Sequence, residues 1–266
     1  MSTVTPDDEA AIEATKAPLL EHLVELRKRL IWSVVSFVAA FLVCFFFAKE
    51  IYAFLAAPLG HALKGQANDH LIYTGLQEGF FTYVKVGMFA GLCLAFPLIA
   101  AQIWMFVAPG LYKHERNAFL PFLLATPVLF ITGASFVYYI MLPVAIRFFL
   151  SYQTAGGNGG PGIQLQARVS EYLDLVMTLI FAFGLCFQLP VLLSLLGRVG
   201  IISAAQLRTM RRYAIVGIFG LAAIMTPPDI FSMLSLAVPL VFLYEVSIWC
   251  VVLIERRRAR DDAAKN

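Results

Sequence analysis

The sequence predicts an all-α membrane protein with six transmembrane helices and both termini cytoplasmic. Three observations carry that expectation. Of the 266 residues, 60% are apolar and 14% charged, and the mean hydropathy is +0.79. A soluble domain of this length has too few charges to cover so much apolar surface, so lipid is the solvent for most of the chain. The apolar residues fall into six runs separated by polar or basic loops. Finally, fifteen of the twenty lysines and arginines fall in the tails and in the loops after the second and fourth runs. Only Lys49, Lys64, Lys85, Arg147 and Arg168 lie elsewhere. By the positive-inside rule that face is cytoplasmic.

The elements follow in order. Residues 1–17 read as a mobile, acidic tail. The first apolar run begins only behind it and no small-residue cleavage site follows, so it is expected to stay as a span, about 30–47. Residues 51–77 are too polar to cross and open as a short interfacial helix with Pro58 inside it. The second span, about 79–108, contains Lys85 and Pro97, and the third, about 118–146, carries Pro121, Pro127 and Pro143. A glycine-rich loop at 156–162 lacks the lysine of a phosphate-binding loop. The fourth span is about 172–196, followed by a basic loop from Arg198 to Arg212. The fifth, about 213–225, is short, rising about 20 Å against a hydrocarbon core of about 30 Å. The sixth, about 230–254, ends in the basic tail 255–266.

Charges at or inside these spans need a physical reason. Glu25 sits among Arg27, Lys28 and Arg29 where the chain enters the first span. Either it pairs with Arg29 one turn on, or it is a carboxylate at the membrane surface that accepts a guanidinium. Glu115, in Tyr112-Lys113-His114-Glu115-Arg116, is either a helix-start acid favoured by the helix dipole or a second such acceptor. Two carboxylates on one face suit two adjacent cations of a partner. Lys85 is expected to snorkel towards the outer interface. Glu245 lies about two turns from the basic end of the sixth span, where it needs a paired neighbour, protonation or a wet cavity. Gln188 is read as an interhelical hydrogen-bonding group and Asp229 as the cap of the sixth helix. The Gly87-xxx-Gly91 pair suits close helix packing, within the chain or with a partner.

The four cysteines each stand alone in an apolar run, and the four histidines lie outside the spans. No metal-type spacing, no HExxH, no nucleotide-phosphate loop and no serine–histidine or paired-aspartate arrangement is present. The reading is of a non-enzyme with no catalytic residue, no metal, no cofactor and no nucleic acid. An ion-coupled secondary transporter or channel using Lys85 and Glu245 is the alternative, and it requires charged groups converging near the midplane.

Four segments in order carry a resemblance. They are His22-Leu-Val-Glu-Leu-Arg-Lys-Arg-Leu30, Phe106-Val-Ala-Pro-Gly-Leu-Tyr-Lys-His-Glu-Arg116, Ala182-Phe-Gly-Leu-Cys-Phe-Gln-Leu-Pro190 and Thr226-Pro-Pro-Asp-Ile-Phe231. Across about 18–254 the chain resembles the TatC family, the six-span receptor subunit of the twin-arginine protein translocase. The resemblance implies a cupped bundle in the bacterial cytoplasmic (inner) membrane. It implies binding of paired-arginine signal peptides on folded cargo, with TatA and TatB type single-span partners, further copies of the chain and the proton-motive force. It assigns the signal-binding acids to Glu25 and Glu115, with Arg27, Phe106, Leu111, Tyr112 and Arg116 on the same surface. Pro58 matches a family proline. Gln188 stands where many relatives carry a glutamate, and Met233 where many carry a polar residue.

Overall fold

The computed structural model describes residues 6–64, 70–107, 116–154, 162–225 and 230–265. It is helical throughout, with no β-strand among the described residues beyond two isolated bridges, Ile72 with Arg168 and Thr154 with Ile163. The helices are α1 (Pro6–Phe46), α2 (Ala48–Leu63), α3 (Glu78–Val107), α4 (Arg116–Phe136), α5 (Leu142–Leu150), α6 (Val169–Cys186), α7 (Leu189–Val199), α8 (Ala204–Met225) and α9 (Ile230–Lys265). Five segments among the described residues are long and apolar enough to cross a bilayer: 22–46, 78–106, 121–150, 169–199 and 233–260.

Four boundaries depart from the sequence reading, each for a local reason. First, α1 reaches back to Pro6, into the segment expected to be a tail, where alanines and glutamates of high helix propensity carry the helix outward. Second, the third span is not one α-helix. It passes through a π-turn at Val137–Met141, where Leu142 N–H donates to the Val137 carbonyl, just ahead of Pro143. A proline there can neither bond nor fit against the carbonyl four residues back, and a widened turn relieves both problems.

Third, the fourth span is two helices. α6 stops at Cys186 and α7 starts at Leu189, with Pro190 in its first turn. Fourth, the expected basic loop is short. α7 ends on Gly200 in the left-handed conformation (φ 83°) and α8 begins at Ala204, so Arg208, Arg211 and Arg212 ride on a helix.

The core lies around α6 and α9. Phe183, Leu173, Val176 and Leu179 on α6 and Leu236, Leu240 and Val251 on α9 are fully buried, together with Met141 and Leu142 at the π-turn. α9 packs between α7 and α8, and α6 packs on α4. α1 lies apart from this core and packs chiefly on α3. Its approach depends on Gly91, where a Cβ would stand 2.7 Å from the Phe41 Cα, with Gly87 similarly close to Phe45. The glycine pair is therefore used within the chain.

Pro58 sits inside α2 without a break. Its missing N–H would leave the Phe54 carbonyl unsatisfied. Tyr138, in the π-turn, donates its hydroxyl to that oxygen at 2.8 Å, and its ring stacks on Phe54 at 4.4 Å. Tyr172 donates to the next carbonyl, Leu55, at 3.0 Å. Two distant helical segments, the π-turn and α6, thereby meet the α2 backbone around one proline.

Candidate functional site: the junction of the first and second spans

Where its apolar segment begins, α1 faces the last two turns of α3. Glu25 and Arg29 stand one helical turn apart, and Arg29 Nη2 donates to Glu25 Oε1 at 3.1 Å. Arg29 Nη1 reaches across to α3, donating to Gln102 Oε1 at 3.2 Å and touching Met105 Sδ at 3.3 Å. His22 stacks on Phe106, with ring centroids 4.3 Å apart. Arg29 is thus fixed at three points. Glu25, 34% exposed, accepts through one oxygen and presents Oε2 with no donor among the described residues. Of the two readings of Glu25, the pair with Arg29 is formed, and it leaves acceptor capacity for a further charged donor. Arg27 is exposed beside it and Phe106 is half-buried.

Leu111, Tyr112, Glu115 and Asp229 lie outside the described residues, and Arg116 is described only as the first residue of α4.

The other singled-out groups fall elsewhere. Lys85 pairs with Asp174 on α6 at 2.9 Å, both about half exposed. This replaces free snorkelling with a cross-helix pair, and Asp174 was not singled out because its partner is 89 residues away. Glu245 receives a two-pronged contact from Arg211 on α8, at 2.7 and 2.9 Å. Lys85 and Glu245 are therefore each bound to a different partner, on α6 and α8, and do not converge as a transporter site would need. Gln188 donates its amide to the carbonyls of Thr126 and Gly184 at 3.1 and 3.3 Å, tying the break between α6 and α7 to α4. Its Oε1 is buried and takes no hydrogen bond from a described residue.

Sequence reasoning also missed Glu78, in the first turn of α3. Its carboxylate accepts from the Thr74 and Gly75 backbone at 2.9 and 3.2 Å and from the Ser170 hydroxyl at 2.6 Å, with Arg168 at 3.6 Å. The signal available was an acid at the first turn of a helix, a favoured place. Glu78 and Phe106 are 28 residues apart on one helix, about 42 Å. The Glu78–Arg168 cluster and the Glu25–Arg29 cluster hence occupy opposite ends of the bundle.

No group of three or more metal-ligating side chains occurs among the described residues. Fold and site together define a multi-pass helical membrane protein with a polar, charge-bearing junction where the first two spans end.

Comparison with known proteins resolves the class further. The family model "Sec-independent protein translocase protein (TatC)" matches residues 21–239. A Sec-independent protein translocase protein TatC of Magnetococcus marinus is 49% identical over 250 residues, 94% of this chain and 89% of that one. The TatC protein of Escherichia coli K12 is 38% identical over 240 residues, 90% of this chain and 89% of the relative. A crystal structure of the twin-arginine translocase receptor TatC in DDM superposes with a TM-score of 0.74 at 37% identity, covering 86% of this chain and 98% of that chain. The chain belongs to the TatC family of Sec-independent protein translocases, and is a multi-pass protein of the inner membrane.

Proposed function

We propose that this chain is the signal-recognition core of a twin-arginine translocase. In this reading six helices cross the membrane, with residues 213–225 of α8 as the short fifth span and both termini cytoplasmic. Glu25 and Glu115 accept the two consecutive guanidinium groups of a signal peptide on folded cargo. Arg27, Phe106, Leu111, Tyr112 and Arg116 border the seat. Single-span subunits of the TatA and TatB type and further copies of this chain complete the machine, and the proton-motive force drives transport.

The observation that supports the reading best is the state of Glu25. Its Oε1 is engaged by an arginine that α3 holds in place, and its Oε2 takes no hydrogen bond from a described residue. A carboxylate with one oxygen committed and one open binds an incoming fork without first losing its own support. Arginine is favoured over lysine because its planar fork satisfies two acceptors at once.

The test is photocrosslinking to this chain from a probe placed beside the arginine pair of a signal peptide, together with export of a reporter carrying that signal. Each charge-assisted hydrogen bond lost removes about 1.5–3 kcal/mol. Glu115→Ala and Glu25→Ala should therefore each cut crosslinking at least about tenfold while the protein still inserts. A lysine pair in the signal should weaken the crosslink less than either alanine does. Normal export by the Glu25→Ala/Glu115→Ala double variant would refute the assignment.

A further inference from the structure

At the end of the bundle where α8 starts and the apolar part of α9 stops, an open groove of about 420 Å³ lies between the two helices. It is built from two kinds of side chain. Arg208 and Arg256 bring two exposed guanidinium groups, neither of them in an ion pair with a described residue. Ala205, Ala259 and Val252 supply an apolar floor of small groups. Glu255 is the one acid in the lining, and its Oε1 is already taken by the Ala204 N–H at 2.9 Å. There its charge lies against the positive end of α8.

The helices that form the groove are fixed to each other. Tyr244 donates to the Leu207 carbonyl at 2.8 Å, and Arg211 grips Glu245. The level is set by sequence. Val252 belongs to the apolar run of α9, and Glu255-Arg-Arg-Arg258 opens the charged stretch that follows. The groove therefore straddles the change from apolar to charged residues along α9.

We propose that this groove is a binding site for an anionic glycerophospholipid. The phosphodiester sits between Arg208 and Arg256, whose forks match phosphate oxygens. The glyceryl and first acyl carbons lie on Val252 and the alanines. A lining with cations at one end and small apolar groups at the other fits an amphiphile, and basic pockets between membrane helices take anionic headgroups. The inference needs this end of α9 to lie at a membrane surface. It does not depend on signal recognition at Glu25, so either can fail alone.

The test uses the full chain in nanodiscs of phosphatidylcholine with a minor fraction of phosphatidylglycerol, followed by native mass spectrometry of lipid retained after detergent transfer. The wild type should keep a phosphatidylglycerol in preference to phosphatidylcholine by about tenfold, the equivalent of one charge-assisted contact. Arg208→Gln/Arg256→Gln should abolish the preference. Arg257→Gln/Arg260→Gln removes the same charge from the same end of α9 outside the groove lining and should keep it. Ala205→Leu/Ala259→Leu leaves every charge and fills the floor, and should also lose the lipid. Equal loss in both arginine pairs, retention by the filled variant, no preference in the wild type, or displacement by inorganic phosphate would each overturn the site. Circular dichroism shows whether each variant is folded. An unfolded arginine pair leaves the filled variant to decide.

Discussion

The first and fourth spans are almost equally hydrophobic, yet only 11% of the most apolar 18-residue stretch of the first is buried inside the protein against 56% of that of the fourth. Residues 169–199 form the packed centre of the bundle, where Phe183 and Val176 are fully enclosed. Residues 22–46 lean on α3 along one seam and turn Trp32, Val35, Leu42 and Phe46 outward. Hydropathy identifies the solvent a helix needs, and says nothing about how many neighbours it has. In lipid an outward leucine carries no penalty, so packing is set by shape and by small residues. The polar junction at Glu25 sits on the peripheral span, held chiefly by one neighbour, and the buried core sits elsewhere.

That contrast can be broken by substitution. The largest effect is expected at Phe183→Ala, which opens a cavity in the centre and should cost about 3–5 kcal/mol. Trp32→Ala removes a larger ring from the outward face of α1 and should change stability by no more than about 0.5 kcal/mol. Thermal unfolding of the purified protein in detergent compares the two, and similar losses would show that α1 is as integrated as α6.

Gly91→Ala comes next. The added carbon meets backbone 2.7 Å away, so α1 must shift off α3 at a cost of about 1–3 kcal/mol. Gly60→Ala, with nothing within 4 Å, serves as the control and should be neutral or slightly stabilising. A cysteine pair across the α1–α3 seam should crosslink more slowly in the Gly91 variant alone.

Tyr138→Phe removes the hydroxyl that satisfies the Phe54 carbonyl and should cost about 1–2 kcal/mol, read by the same melt. Arg29→Gln should cost less stability than Tyr138→Phe. The pair with Glu25 is a partly exposed one-turn contact of about 0.3–0.5 kcal/mol. Its larger consequence should appear in signal crosslinking, because Glu25 then loses its link to α3.

Much of the fold was legible because its signals are local. An apolar run needs no knowledge of its neighbours, and five of the six runs read as spans coincide with long apolar helical segments, the short run 213–225 being the exception. What escaped depends on distant partners. Lys85 lacks a visible reason until Asp174 is brought beside it, and Glu78 until Ser170 and Arg168 arrive. The π-turn ahead of Pro143 and the break ahead of Pro190 were also missed. A proline announces a disturbance and leaves open whether the helix widens, splits or, as at Pro58, continues. For Glu25 the sequence offered two roles, and the structure forms the internal pair while leaving one oxygen open.

The repair at Pro58 has a consequence for anyone building chimaeras in this family. A carbonyl left bare by proline and answered by a phenol 84 residues away behaves as a single unit of heredity. Grafting the α2 segment from a relative without the matching tyrosine leaves that oxygen without its donor, and grafting the tyrosine alone leaves a hydroxyl without its acceptor. Exchange should succeed only when both travel together.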